Sequence, residues 1–199
     1  MTPGVIIVCH ATPKWGFGHL HRSLALAMSA YERGWRVYLV TRGPKALIDP
    51  RVPSSLATCG FPEDAPLASE FECFTAAYET LRDHGADRLR AVVDHPHLDS
   101  TYAESLADLG LPWLTFSQCN SPPGPPSWVV SPLTAKEQGV EGERVDTHWL
   151  EGPAYSIVRP VFKEGCPHPY RPLNERRRLI LTFGGGRDFG ASELFLSPI

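Results

Sequence analysis

The chain opens on an apolar, mostly β-branched run, Val5-Ile6-Ile7-Val8-Cys9. A loop with two glycines follows, His10 to His19, and then a Leu- and Ala-rich run, Leu20-His21-Arg22-Ser23-Leu24-Ala25-Leu26-Ala27. This order predicts strand, tight loop, helix. Leu20, Leu24, Ala27, Met28 and Tyr31 recur at helical spacing, and Gly34 stands where a C-terminal cap would, so the helix spans 20–33. Val37, Leu39 and Val40 before Arg42-Gly43-Pro44 predict a second, mostly buried strand over 35–41. The three elements make a βαβ unit, whose crossover is right-handed.

Between Gly43 and Glu70 the pattern weakens around Pro44, Pro50, Pro53, Pro62 and Pro66, and the reading is a brief helix near 45–48, one short strand and loop. Phe71, Phe74, Ala77, Tyr78 and Leu81 share a helical face over 71–85. A strand over 90–94 ends in Asp94-His95-Pro96-His97, a helix over 100–109 stops at Gly110, and Trp113-Leu114-Thr115-Phe116 is the next strand. Ser121 to Pro126 is a proline-dense loop, Trp128-Val129-Val130 a strand, and 132–138 a short helix. This alternation predicts an α/β, Rossmann-like, doubly wound parallel sheet over residues 1–160. Residues 161–177 read as a linker. Residues 178–199 read as one strand running into Gly184-Gly185-Gly186-Arg187-Asp188, too short to bury a core and therefore the first βα unit of a second domain.

Composition narrows the partners. The 199 residues carry 19 basic and 22 acidic side chains, a formal net charge of −3, which disfavours a nucleic-acid surface and favours a small-molecule or protein partner. Cys9, Cys59, Cys73, Cys119 and Cys166 are odd in number and include no C-x-x-C pair, so reduced thiols are expected, not a disulfide framework or a zinc knuckle. No apolar run approaches the roughly 20 residues of a membrane span, and no signal-peptide core follows Met1; a cytoplasmic location is the expectation. Oligomeric state is not legible.

Chemistry concentrates in the first loop. Gly16 and Gly18 let the backbone approach a ligand closely, and the following helix start offers unpaired N–H groups to an anionic or oxygen-rich group. His19 places a base where loop becomes helix, and Arg22 lies one turn on. His10, at the end of the first strand, lines the same cleft, whereas His21 faces another side. Asp94 ends a parallel strand, the edge where open α/β sheets bind ligands. Histidines 10, 19, 21, 95 and 97 include no i, i+4 pair of the kind that binds zinc from a helix, so no metal site is read from them.

Four segments in order resemble the UDP-sugar hydrolase family of pseudaminic acid biosynthesis, two-domain GT-B enzymes related to the peptidoglycan N-acetylglucosaminyl transferase. Gly16-Phe17-Gly18-His19-Leu20-His21-Arg22 resembles that family's G-x-G-H-x-x-R helix start, and Val92-Val93-Asp94-His95 its V-D-H-Y strand end. Gly152 to Phe162 is similar to its G-x-x-Y-A-L-L-R-x-x-F segment, and Leu181 to Asp188 to its F-G-G-S/T-D turn. The resemblance implies attack of water on the anomeric carbon with inversion and loss of UDP, without metal or cofactor. It implies His19 as the base that activates the water, general-base help being worth about 10² to 10⁴ in rate. It further implies sugar-side contacts from Gly16, Phe17, Gly18, Arg22, His10 and His95. Asp94 would contact sugar hydroxyls or orient His19, and Gly184, Gly185 and Gly186 would hold the diphosphate of a UDP-linked sugar.

The departures from that pattern bear on the reaction. Pro96 stands where the family has an active-site tyrosine, Ser117-Gln118 replaces an acidic pair, and the second glycine turn carries an extra residue before Asp188. Transfer to an acceptor hydroxyl would use the same base as hydrolysis. A non-catalytic or partner-dependent module is the reading of a different class.

Overall fold

The computed structural model describes residues 2–12, 14, 16–95, 100–116, 128–132, 148–159 and 172–175. Its strands are β1 (Thr2–His10), β2 (Arg36–Arg42), β3 (Ala57–Phe61), β4 (Ala86–Asp94), β5 (Trp113–Phe116), β6 (Trp128–Ser131) and β7 (His148–Glu151). They form one sheet in the order β3-β2-β1-β4-β5-β6-β7, parallel at every pairing. The helices are α1 (Gly18–Glu32), α2 (Lys45–Ile48), α3 (Leu67–Asp83) and α4 (Ser100–Asp108). This is the expected Rossmann-like α/β sheet.

The continuous apolar run of β1 follows from burial on both faces. Ile6 and Val8 point to one layer, with Phe74, Ala77 and Leu81 of α3 and Leu106 of α4. Val5, Ile7 and Cys9 point to the other, with Leu20, Leu24 and Ala27 of α1. The chain runs outward from β1 through β2 and β3, then returns to the opposite side of β1 with β4. The loops after β1 and β4 therefore diverge, opening a crevice at the carboxyl ends of these two central strands. In the register of that pair, Cys9 stands opposite Asp94.

Several elements differ from expectation. Helix α3 begins at Leu67, not Phe71, because Pro66 takes the position just before the first turn, with φ −57° and ψ 154°; a proline there lacks only an N–H that the helix does not use. The earlier start moves Glu70 from loop to helix. Strand β4 begins at Ala86 because its exposed Asp87, Arg88 and Arg90 interrupt the apolar pattern without interrupting the ladder. Strand β7, parallel to β6, was not foreseen. Of the helix expected over 132–138, only Pro132 is described; the loop 121–126 lies outside the described residues, as do the linker and second-domain residues except 172–175.

Gly43 holds the mouth of the crevice. Its φ is +146°, and a Cβ there would lie 2.0 Å from the Ala11 carbonyl oxygen. The Ala11 N–H in turn donates to the Arg42 carbonyl at 2.8 Å. Only glycine permits this approach of the loops after β1 and β2.

Candidate functional site

Two buried carboxylates stand at the carboxyl-end edge of the sheet, and each takes one imidazole and one guanidinium. The first is Asp94, the last residue of β4 and 1% exposed. His19, the second residue of α1, lies with Nδ1 2.7 Å from Asp94 Oδ1. Arg22, three residues further along α1, donates from Nε to Oδ2 at 2.8 Å and from Nη2 to Oδ1 at 2.5 Å. The spacing is helical: positions i and i+3 share a face, so base and cation reach one carboxylate. Ser23 Oγ donates to Oδ2 at 3.5 Å, and the Arg22 guanidinium lies over the Phe116 ring, 4.1 Å from its centroid.

Burial alone would push the Asp94 carboxyl up. The hydrogen bonds from His19 and Arg22, with the Arg22 charge, outweigh it and hold the group below its ordinary value. An ionised Asp94 is acceptor-only, so His19 Nδ1 carries the proton in this contact, which makes Nε2 the acceptor nitrogen of the neutral ring. A carboxylate that holds a histidine in this way has the geometry of the orienting partner of a general base.

The second carboxylate is Glu70 on α3, fully buried. His10, the last residue of β1, places Nε2 3.1 Å from Glu70 Oε2, and Arg42, the last residue of β2, donates from Nε to the same oxygen at 3.0 Å. Arg42 also donates to the carbonyls of Glu63, Ala65 and Pro66, at 3.1, 2.5 and 3.3 Å, and lies over the Phe61 ring. Burial opposes ionisation of Glu70, but the His10 hydrogen bond, the charges of His10 and His95 and the Arg42 hydrogen bond hold it below its ordinary value. The His95 ring sits 3.9 Å from the His10 ring, tilted by 58°.

The structure thus brings His19, Arg22 and Asp94 into one hydrogen-bonded group and His10 and Arg42 onto Glu70, with the His95 ring packed against His10. Sequence reasoning missed Glu70 and Arg42. The signal for Glu70 is its place in the first turn of a helix that starts after Pro66, where an acidic residue is favoured. Gly16 has the left-handed φ of 78°, and its N–H donates to the Thr12 carbonyl at 2.7 Å, closing the loop. Gly18, expected to permit close backbone approach, is the first residue of α1 with open space where a Cβ would stand. Phe17 takes the N-cap position without a side-chain cap, its ring under the Arg51 guanidinium. His21 is half-buried, and burial together with Arg159 and Arg51 lowers its pKa. Pro96, His97, Ser117, Gln118 and the turn Gly184, Gly185 and Gly186 lie outside the described residues.

An apolar groove of about 430 Å³, lined by Val5, Leu26, Trp35, Trp113 and Trp128 among others, contains neither histidine nor carboxylate. It lies on the α1 face near the ends where β1 and β2 begin, away from His19 and Asp94. Among the described residues, no helix is long and apolar enough to cross a membrane.

No family model matches the chain, and no curated protein matches it. Solved structures do. A UDP-glucosyltransferase from Polygonum tinctorium, capable of glucosylating indoxyl and solved with 3,4-dichloroaniline, aligns over 87% of this chain and 56% of its own, with a TM-score of 0.53 and 16% identity. A transferase from Siraitia grosvenorii in complex with UDP aligns over 57% of this chain and 27% of its own, with a TM-score of 0.38 and 20% identity. LpCGTa in complex with UDP gives 58%, 30%, 0.36 and 20% for the same quantities. The last two alignments are too partial to carry an argument. The first shows a shared fold: the chain has the Rossmann-like α/β sheet found in GT-B glycosyltransferases and spans 56% of that enzyme's length.

Proposed function

We propose that the chain supplies the sugar- or acceptor-side part of a nucleotide-sugar-processing enzyme of GT-B type. His19, oriented by Asp94, takes a proton onto Nε2 from an oxygen nucleophile. That oxygen bonds to the anomeric carbon while the bond from this carbon to the nucleotide diphosphate breaks, and the electron pair leaves with the diphosphate. The observation carrying the reading is the buried 2.7 Å contact between His19 and Asp94 at the switch point of the sheet. Arg22 fixes both oxygens of Asp94, so the carboxylate keeps one orientation toward the imidazole. The backbone from Gly16 to Gly18 and the ring of Phe17 face the sugar end. The turn Gly184 to Gly186, opening a nucleotide-binding domain at 178–199, receives the diphosphate, and UDP is the carrier.

The nucleophile is water in the leading reading and an acceptor hydroxyl in the second. The second is favoured by the glucosyltransferase activity of the structural neighbour from Polygonum tinctorium. A third reading is a module active only with a partner domain. Incubating the protein with UDP-sugars and following UDP with and without a hydroxyl acceptor separates them. Release without acceptor supports hydrolysis, and acceptor dependence supports transfer. Silence that is relieved by adding a nucleotide-binding domain supports the third. Release that persists undiminished in His19→Ala would remove His19 from the mechanism in all three.

A further inference from the structure

We propose that His10, Glu70 and His95 form a binding site for one divalent transition-metal ion of the zinc class, independent of the sugar chemistry assigned to His19. The three residues come from the end of β1, the first turn of α3 and the residue after β4, so no local spacing announces them. One ligand atom from each lies within 4.8 Å of the other two. Bonds of about 2.0–2.2 Å to a common ion put such atoms about 3.3 Å apart, within reach of small side-chain rotations.

Three features of the surroundings fit an ion. Glu70 Oε2 is occupied by His10 and Arg42, whereas Oε1 is fully buried with no hydrogen-bond partner among the described residues. A buried carboxylate oxygen without a partner is costly and is ordinarily answered by a water or an ion. The Arg42 guanidinium, itself anchored on three backbone carbonyls, compensates the Glu70 charge and fixes the carboxylate plane. It plays the part of the outer partner that orients a metal-binding carboxylate. The donor set is then electrically close to three neutral ligands, the condition of a three-histidine zinc site.

That balance selects the kind of ion. Two imidazoles with one compensated carboxylate suit a borderline transition metal, whereas calcium and magnesium favour sites rich in oxygen ligands. His95 is partly exposed while His10 and Glu70 are buried, so the cluster is reached from solvent on the His95 side. The ion would tie β1, α3 and β4 together beside Asp94, the neighbour of His95 in sequence.

The test uses the full chain after treatment with a chelator, titrated with zinc against a chromophoric competitor and with magnesium and calcium in parallel. X-ray absorption is recorded on the one-equivalent zinc complex. The site predicts one zinc per chain and no saturable binding of magnesium or calcium below millimolar concentration. It predicts nitrogen and oxygen scatterers without sulfur, and affinity reduced at least about tenfold in His95→Ala, Glu70→Gln and His10→Ala. His95→Ala is the variant least exposed to folding failure, since its side chain is only partly buried, and far-ultraviolet circular dichroism checks each variant. His84→Ala, at an exposed histidine on the end of α3, should bind as the parent does. Absence of stoichiometric zinc binding, binding unchanged in His95→Ala, or sulfur in the coordination shell would each overturn the proposal. The first of these would leave a water as the partner of Oε1.

Discussion

Glu70→Gln changes one atom in a side chain that no solvent reaches, and its cost can be worked from the contacts around it. Glu70 is the sole carboxylate contacting Arg42 and His10 among the described ion pairs. Removing one member of a buried ion pair costs about 3–5 kcal/mol, most of it from the charge left behind. Two features reduce that figure here. Arg42 keeps its three carbonyl acceptors and the Phe61 ring, and glutamine keeps one acceptor oxygen. The expectation is a loss of about 2–4 kcal/mol. With a urea dependence of about 2 kcal/mol per molar, the unfolding midpoint falls by about 1–2 M. Measured with a chelator present, this isolates the ion pair from any bound metal.

The pH dependence of the same pair gives a second reading. Because the folded pKa of Glu70 is depressed, its contribution is complete above the ordinary value of 4.5 and is lost as pH falls through the folded value. The gap in stability between parent and Glu70→Gln must therefore narrow from pH 7 towards pH 3. A loss below about 0.5 kcal/mol, the range of ordinary surface substitutions, would refute the claim of a buried, ionised pair. So would a gap of equal size at both pH values.

Other positions give sharper, smaller tests. Gly43→Ala places a Cβ against the Ala11 carbonyl at a φ that side chains rarely adopt, so it should lower stability by about 2 kcal/mol or more in urea unfolding, far beyond a surface glycine replacement. Arg22→Lys loses the two-point grip on Asp94 and the contact with the Phe116 ring; thermal unfolding should register a loss of about 1–2 kcal/mol, and UDP release should fall with it. The Cys9 thiol is pushed up by burial and by Asp94, so native protein treated with iodoacetamide at pH 8 should leave Cys9 unmodified by peptide mass mapping, until denaturant is added.

What the sequence made legible were features with local signatures. The β1 run, the turn at Gly16 and the face shared by His19 and Arg22 lie within about twenty residues, and the parallel α/β sheet follows from the alternation of elements. Asp94 was placed correctly as a strand end, and its contact with His19 follows from the pairing of β1 with β4. Glu70 and Arg42 were invisible for a physical reason. In sequence each looks like a solvated charge, and only the packing of α3 across β1 and β2 turns them into a buried pair. His10 and His95 were legible as candidates at strand ends, but their contact with each other spans 85 positions and has no periodicity to betray it. Strand β7 is four residues long and partly exposed along its length, too short and too mixed for a pattern of its own.

The central claim is that Asp94 holds His19 in the form that accepts a proton at Nε2, and the most direct measurement is the tautomer of His19. Nitrogen-15 NMR of selectively labelled imidazoles, assigned with His19→Gln and recorded at a pH where His19 is neutral, reads it without substrate. The account predicts a proton on Nδ1 and a lone pair on Nε2, with a shift to the opposite tautomer or to a mixture in Asp94→Asn. A neutral His19 protonated on Nε2 in the parent protein would contradict the account.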